Sequence, residues 1–405
     1  PRRRLRDATS LAETESTTEN DALAWAAGVA QRVRLTLSAD QARPIRLRRP
    51  TRPSHEGKCI VESKFWEDVE AGETLPVLEF PITVKTLILA VCGTRDLMPY
   101  HHDPEYSKSV GNRDMFVNTM FEQALFGRYA TDFAGPESDF RETGLQMLNQ
   151  LCPGDVARIE GTVTEKLEEG GEKRIKLQIS ATNHIGIAAT GTATLAMPSR
   201  ADGPVKSIEG MARPAMDVHP KIPDFAKEWL GKESSKSPGG YPVSEVQVMY
   251  WCDMVEDNNP IYSDTDYARK SRHNGMIAPP MGLITWTMAR AAQTGVDSDA
   301  PDANDPTRKP WPPKAPSDGE GGIPMPPGMT DTIAQGSVQT YGAPVRPGDL
   351  IYSTNETLNC SPLKETKLGP GYFQTNLQTF YNQKDEIVGT NLFTLLRYGG
   401  KPEAE

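Results

Sequence analysis

Apolar residues recur along this chain with two periods, and the periods alternate twice in the same order. Val84, Leu87, Ile88 and Val91 fall at i, i+3, i+4 and i+7, which predicts an amphipathic helix ending at Gly93. Residues 96–103 follow as a Pro-containing loop. Met115 to Phe133 is nearly all apolar, and Val117, Met120, Phe121 and Ala124 repeat the helical spacing, so a longer, buried helix is expected. Val156 to Lys166, Lys173 to Asn183 and Ala188 to Met197 then read as strands. In the middle one Ile175, Leu177 and Ile179 alternate with polar residues, and Gly170-Gly171 marks the turn before it. The second round opens at Ser244-x-x-Gln247, a capping-box signature, with Val248, Trp251, Cys252 and Val255 on one helical face. A loop at Asp257 to Asp264 comes next, then an apolar helix from Ala278-Pro279-Pro280 to about Ala292. Leu350 to Leu358, Gly371 to Tyr381 and Glu386 to Tyr398 read as strands. A long apolar helix against several antiparallel strands, twice over, is an α+β layout.

The two loops repeat one another residue by residue. Asp96 to Tyr106 reads D-L-M-P-Y-H-H-D-P-E-Y and Asp257 to Tyr267 reads D-N-N-P-I-Y-S-D-T-D-Y. Asp96 aligns with Asp257, Pro99 with Pro260, Asp103 with Asp264 and Tyr106 with Tyr267, while His101 stands opposite Tyr262. A second anchor recurs in the same order: Pro153-Gly154-Asp155 and Pro347-Gly348-Asp349 each precede a strand-like run. The spacing grows from 161 residues (Asp96 to Asp257) to 194 (Pro153 to Pro347), and a Pro/Gly/Asp-rich segment at 297–329, with Trp311 among its prolines, accounts for the difference. The chain thus divides into a tail at 1–58, a first domain at 59–199, a Pro-, Lys- and Ser-rich linker at 200–240 and a second domain at 241–400 that carries the insertion.

Composition narrows the functional classes. The 405 residues are 37% hydrophobic and 24% charged, ordinary for a soluble globular protein and enough for more than one core. No apolar run approaches 18 residues, so no membrane span is expected. A net charge of −10 without a basic stripe argues against nucleic acid as a partner. The first 58 residues hold twelve Lys/Arg against seven Asp/Glu, yet Glu13, Glu15, Glu19 and Asp21 count against a targeting peptide. Five scattered Cys without C-x-x-C spacing suit reduced thiols and a cytoplasmic location. His55, His184, His219 and His273 lack metal-ligand spacing, and no metal site is expected. Phosphate-binding loops, dinucleotide glycine motifs and G-x-S-x-G are absent from the sequence.

The D-x-x-P-x-H-x-D-x-x-Y run at Asp96 to Tyr106 resembles the hydratase motif of the MaoC-like (R)-specific enoyl-CoA hydratases, whose usual form is G-D-x-N-P-x-H-x-D. The second copy, N-P-I-Y-S-D-T-D-Y-A followed by I-A-P-P, is similar to the FAS1-like dehydratase relatives in which the His is absent. The resemblance covers roughly residues 60–400. It implies two fused hot-dog domains, each an antiparallel sheet wrapped around a long apolar helix, and only the first catalytic. It also implies that Asp96 and His101 hold a water for addition across the C2=C3 bond of an enoyl thioester. The helix start near Asn118 and Thr119 would supply the oxyanion donors. Met98 stands where the family has Asn, Arg95 where it has Gly, and Thr119 near the expected oxyanion Gly.

The chemistry is consistent with the residues. Hydration needs one group to take a proton from water and one to return a proton at the α-carbon, and a carboxylate and an imidazole on one rigid loop can share a single water. A buried helix N-terminus offers N–H groups to a developing enolate. His102, Asp103 and Asp264 are expected to be structural, and Tyr262 to serve packing. The expected reaction is reversible hydration of a trans-2-enoyl-CoA to a (3R)-hydroxyacyl-CoA with a long or bulky acyl group. CoA enters only as part of the substrate, and no cofactor is expected. A homodimer is compatible with this reading. The alternatives are a dehydratase of a steroid side-chain or branched dicarboxylic acyl-CoA, and a non-catalytic thioester-binding or scaffold subunit that requires a partner chain.

Overall fold

A computed structural model of the chain describes residues 62–109, 111–206, 220–290 and 328–399, with single positions at 208, 211, 214, 323, 325 and 326. The basic tail at 1–58, part of the 200–240 linker and most of the 297–329 insertion lie outside the described residues.

The periodic segments form where expected. Helix α1 spans Val84–Thr94; Thr83 caps it by accepting a 3.1 Å hydrogen bond from the Thr86 N–H, and the left-handed Arg95 (φ 59°) ends it. A short helix α2, Pro104–Ser109, follows the motif loop, and the long helix α3, Thr119–Ala134, follows that. Asn118 caps α3 through its side-chain oxygen, which accepts from the Phe121 N–H at 2.9 Å. In the second half α4 is Glu245–Val255, α5 Pro260–Ser263, α6 Thr265–Lys270 and α7 Leu283–Thr287. Ser244 caps α4 as predicted, accepting from the Gln247 N–H at 3.1 Å. Gln247 does not close the box. Its amide donates instead to the Gly93 carbonyl at 2.6 Å, tying α4 to α1.

Among the described residues eleven strands form one antiparallel sheet: β1 Leu78–Pro81, β2 Asp139–Met147, β3 Val156–Glu169, β4 Glu172–Asn183, β5 Gly186–Ala196, β6 Ser237–Pro238, β7 Asp331–Tyr341, β8 Tyr352–Cys360, β9 Lys364–Thr366, β10 Gly369–Tyr381 and β11 Ile387–Tyr398. Their order is β1-β3-β4-β5-β2-β7-β11-β10-β8-β6, with β9 on β10. Read outward from the β2–β7 pair, the two arms are the same series of elements. That symmetry is the duplication seen in the motifs, made physical. The join pairs Gly144 with Val338 and Thr143 with Gln339.

In the first half α3 lies against the sheet and buries Phe121, Leu125, Phe126 and Ala130. Gly191 is required there, because a Cβ would come within 2.7 Å of the Phe126 ring. The second half departs from expectation. The helix predicted to reach about Ala292 is a 3-10 turn at Pro280–Gly282 followed by α7, which stops at Thr287. Met288 turns into extended backbone (ψ 137°), and the β-branched Ile284, Thr285 and Thr287 favour helix weakly.

Candidate active site

The first motif loop folds back on itself through its own side chains. Asp96 Oδ1 accepts the Met98 N–H at 3.2 Å, Pro99–His101 form a 3-10 turn, and the His102 ring donates through Nε2 to the Leu97 carbonyl at 3.1 Å. His102 is therefore structural, as expected. The turn buries His101 and points Asp96 Oδ2 at its Nε2, 3.4 Å away.

The other imidazole nitrogen settles the tautomer. His101 Nδ1 lies 2.8 Å from the Phe116 carbonyl oxygen. A carbonyl only accepts, so Nδ1 carries a proton, and in the neutral form of the ring the lone pair stands at Nε2. That lone pair and the Asp96 carboxylate are two acceptors side by side. One water can donate a hydrogen to each, which leaves its oxygen free to attack.

Thr94 ties this pair to the long helix. Its hydroxyl donates to the Ala90 carbonyl at 2.7 Å and accepts from the Asn118 amide at 2.8 Å and the Asp96 N–H at 3.3 Å. The Asn118 side chain is buried with both its polar atoms bonded, to Thr94 and to the Phe121 N–H, so it sets the position of α3. The first-turn N–H groups of Thr119 and Met120 have no acceptor within the helix by geometry. The Thr119 hydroxyl donates to Met147 Sδ at 3.3 Å. One turn on, Glu122 is buried with Oε2 unpartnered, and burial pushes its carboxyl up to about 8.

The second copy is built on the same backbone plan with different chemistry. Asp257 accepts the Asn259 N–H at 2.9 Å, just as Asp96 accepts that of Met98. Asn259 keeps the Asn that the first motif lacks, accepting the Ile261 N–H at 3.1 Å. In the first copy the exposed Met98 gives no such bond, and the 3-10 turn and His102 hold the loop without it. Tyr262 is buried where His101 would be, as expected of a packing residue. Burial, with Asp132 nearby, pushes the Asp257 carboxyl up to about 6. Asp103 and Asp264 both cap the short helix that follows, accepting from Tyr106 and Tyr267 at 3.0 and 3.1 Å. A small cleft opens where β2 of the first half meets the second half, lined by Phe140, Arg272, His273, Tyr341 and Val388; neither Asp96 nor His101 lines it.

Sequence reasoning missed Thr94 and Phe116. A Thr just before the motif was a readable signal; a backbone carbonyl has none.

Residues 228–304 match the FAS1-like dehydratase domain region. The chain is 29% identical over 175 residues to a protein of Thermomonospora curvata named "Probable enoyl-CoA hydratase alpha subunit", covering 43% of this chain and 50% of that one. It is 29% identical over 126 residues to the 3-oxo-4,17-pregnadiene-20-carboxyl-CoA hydratase beta subunit of Mycobacterium tuberculosis, 31% of this chain and 95% of that one. The match thus spans about half the length of the α-subunit relative. Among solved structures, a MaoC domain protein dehydratase from Chloroflexus aurantiacus superposes with a TM-score of 0.56 at 12% identity, over 86% of this chain and 100% of that one. A Mycobacterium tuberculosis protein described as a double hot-dog fold does so at 0.54 and 12%, over 83% and 99%. The fold is a double hot-dog. Residues 228–304 thus carry a match to the FAS1-like dehydratase domain region, and the chain as a whole is similar in fold to MaoC-like dehydratases.

Proposed function

We propose that this chain is a hydro-lyase that adds water across the C2=C3 bond of a trans-2-enoyl-CoA and gives the (3R)-hydroxyacyl-CoA. The observation that carries the reading is the Asp96–His101 pair, 3.4 Å apart, with His101 Nδ1 held by the Phe116 carbonyl. The water held there attacks C3 while the pair takes one of its protons, and a proton returns to C2. Charge that gathers on the thioester oxygen meets the free N–H groups at the start of α3. CoA takes part as the substrate's carrier, and the step calls on no further cofactor.

A second observation bears on the acyl group. Helix α7 is five residues long, whereas its counterpart α3 has sixteen. A shortened helix leaves apolar room in the half that has lost its His, which favours a long or bulky acyl chain. Each buried methylene adds about 0.8 kcal/mol of binding.

The test is loss of the enoyl-thioester ultraviolet absorbance when purified protein alone meets enoyl-CoAs from four to sixteen carbons and one polycyclic analogue. Turnover is expected, with kcat/KM rising above four carbons. Asp96→Asn and His101→Ala should each lower turnover by about 10²–10⁴-fold in a folded protein. Near-normal turnover in either variant removes the acid–base assignment, and a (3S) product removes the stereochemical one.

A further inference from the structure

The Pro153-Gly154-Asp155 turn is bonded far beyond what a turn requires. The Asp155 side chain is 2% exposed. Closing the turn takes one contact, Cys152 N–H to Oδ2 at 2.9 Å. The same carboxylate also accepts from Arg113 Nη1 at 3.1 Å and from its Nη2, and from the Asn183 amide at 3.1 Å, with His184 Nδ1 at 3.2 Å. Burial alone would raise this carboxyl; the Arg113 guanidinium and the Cys152 and Asn183 N–H groups outweigh it and hold it below its ordinary value.

Arg113 is what gives these bonds a consequence. It begins the segment that leads into α3, and its guanidinium forks between Asp155 and the Gln150 carbonyl, 3.1 Å away. Four residues on, the Val117 N–H donates to the Leu151 carbonyl at 3.1 Å, and the Phe116 N–H to the Tyr100 carbonyl at 3.1 Å. Between these fastenings lies the Phe116 carbonyl that accepts from His101. The second half manages its equivalent segment differently. Asp349 spends its oxygens on the Arg346 N–H (2.7 Å) and the Gln383 amide (2.8 Å). The Arg346 guanidinium reaches the His273 carbonyl from the other side, at 2.7 Å. The half with no motif His thus lacks this link from the segment to the turn's Asp.

We propose that Asp155, acting through Arg113, is a positioning residue for the dyad. It holds residues 113–117 so that the Phe116 carbonyl keeps the His101 proton on Nδ1 and its lone pair on Nε2, toward Asp96. The effect on turnover rests on the hydratase reading; the effect on the imidazole does not. A neutral imidazole chooses between two tautomers according to the acceptor it finds, and a bond at 2.8 Å is lost when its carbonyl drifts beyond about 3.5 Å.

The experiment is two-bond ¹H–¹⁵N correlation on the full chain labelled with ¹⁵N-histidine, the His101 signals being those missing from His101→Asn. The native protein should show His101 as the Nδ1–H tautomer. In Asp155→Asn and Arg113→Gln the signals should move toward a mixture of tautomers, with Arg113→Lys in between. His184→Ala, which removes only the exposed contact to the carboxylate, should match the native spectrum. Turnover should fall about 10- to 100-fold in the first two variants while KM changes by less than about twofold. Arg113 is one-third exposed, so Arg113→Gln reports even where Asp155→Asn fails to fold. An unchanged Nδ1–H signature in folded Arg113→Gln overturns the proposal. A protein without hydratase turnover whose tautomer still responds would sink the hydratase reading and leave the positioning role standing.

Discussion

Glu122 is the residue whose chemistry and position disagree most. It sits in the first turn of α3, fully buried, with one carboxyl oxygen unpartnered and its pKa raised from 4.5 to about 8 by burial. At neutral pH it therefore keeps its proton, where an unfolded chain would have lost it. The sign follows from linkage. The folded state binds the extra proton between 4.5 and 8, so this group leaves stability undiminished below 4.5 and lowers it progressively as pH rises toward 8. At pH 7 the penalty is roughly 3 kcal/mol. Glu122→Gln should flatten this slope and raise the urea midpoint at pH 8 more than at pH 5. Equal pH dependence in native and variant proteins would show that Glu122 ionises freely. Asp257, raised to about 6, adds a slope of the same sign at lower pH and stays in both proteins as an internal reference.

At the scale of elements, the decisive contact is α1 against α4, the two equivalent helices across the pseudo-twofold. They approach at Gly93, where a Cβ would lie 2.8 Å from Met254 Sδ and 2.9 Å from the Tyr250 carbonyl. The sulfur can move; the carbonyl belongs to a helix and cannot move cheaply. Gly93→Ala should therefore push the helices apart and cost about 1–3 kcal/mol. Because α1 runs straight into the Asp96 loop, activity should fall along with stability, whereas Ile88→Ala on the exposed side should change neither. Thermal unfolding and turnover of the two variants decide this. A Gly93→Ala protein as stable as the native one would mean that the helices are not in contact as described.

For the whole molecule the question is whether two halves make one cooperative unit. A buried polar chain crosses the join. The Gln123 amide on α3 donates to Ser337 Oγ at 2.7 Å, Ser337 donates to Asn391 at 2.6 Å, and Asn391 donates to Gln378 at 2.8 Å. Gln339 returns a bond to Gln123 at 3.2 Å, and Tyr341 donates to Gln339 at 3.0 Å. Such a network is stable only when complete, so each half satisfies the other's polar groups. One calorimetric transition is expected for residues of both halves. Gln123→Leu, which removes the donor to Ser337 Oγ and the acceptor of the Gln339 amide, should lower stability by about 1–3 kcal/mol. Two resolved transitions in the native protein would show that the halves fold independently.

The same network explains what could be read in advance and what could not. Strands such as β4 bury Ile175, Leu177 and Ile179 on one face, and their alternation announces them in the sequence. The central strands β2 and β7 escaped notice because they bury Thr143, Ser337 and Gln339, which leave no apolar period. The duplicated motifs likewise marked Asp96 and His101, because aligned copies expose the one position where chemistry changes. Local sequence thus determined helices α1, α3 and α4, strands β3–β5, β8, β10 and β11, the duplication and the pair of side chains, all of which follow from periodicity or from residue type. Only the tertiary structure decided the β2–β7 join, the partner that Thr94 finds in Asn118 and the carbonyl that meets His101 Nδ1. Each of these depends on which backbone carbonyl or buried polar group arrives from far along the chain, and a single sequence carries no periodic or compositional trace of that meeting.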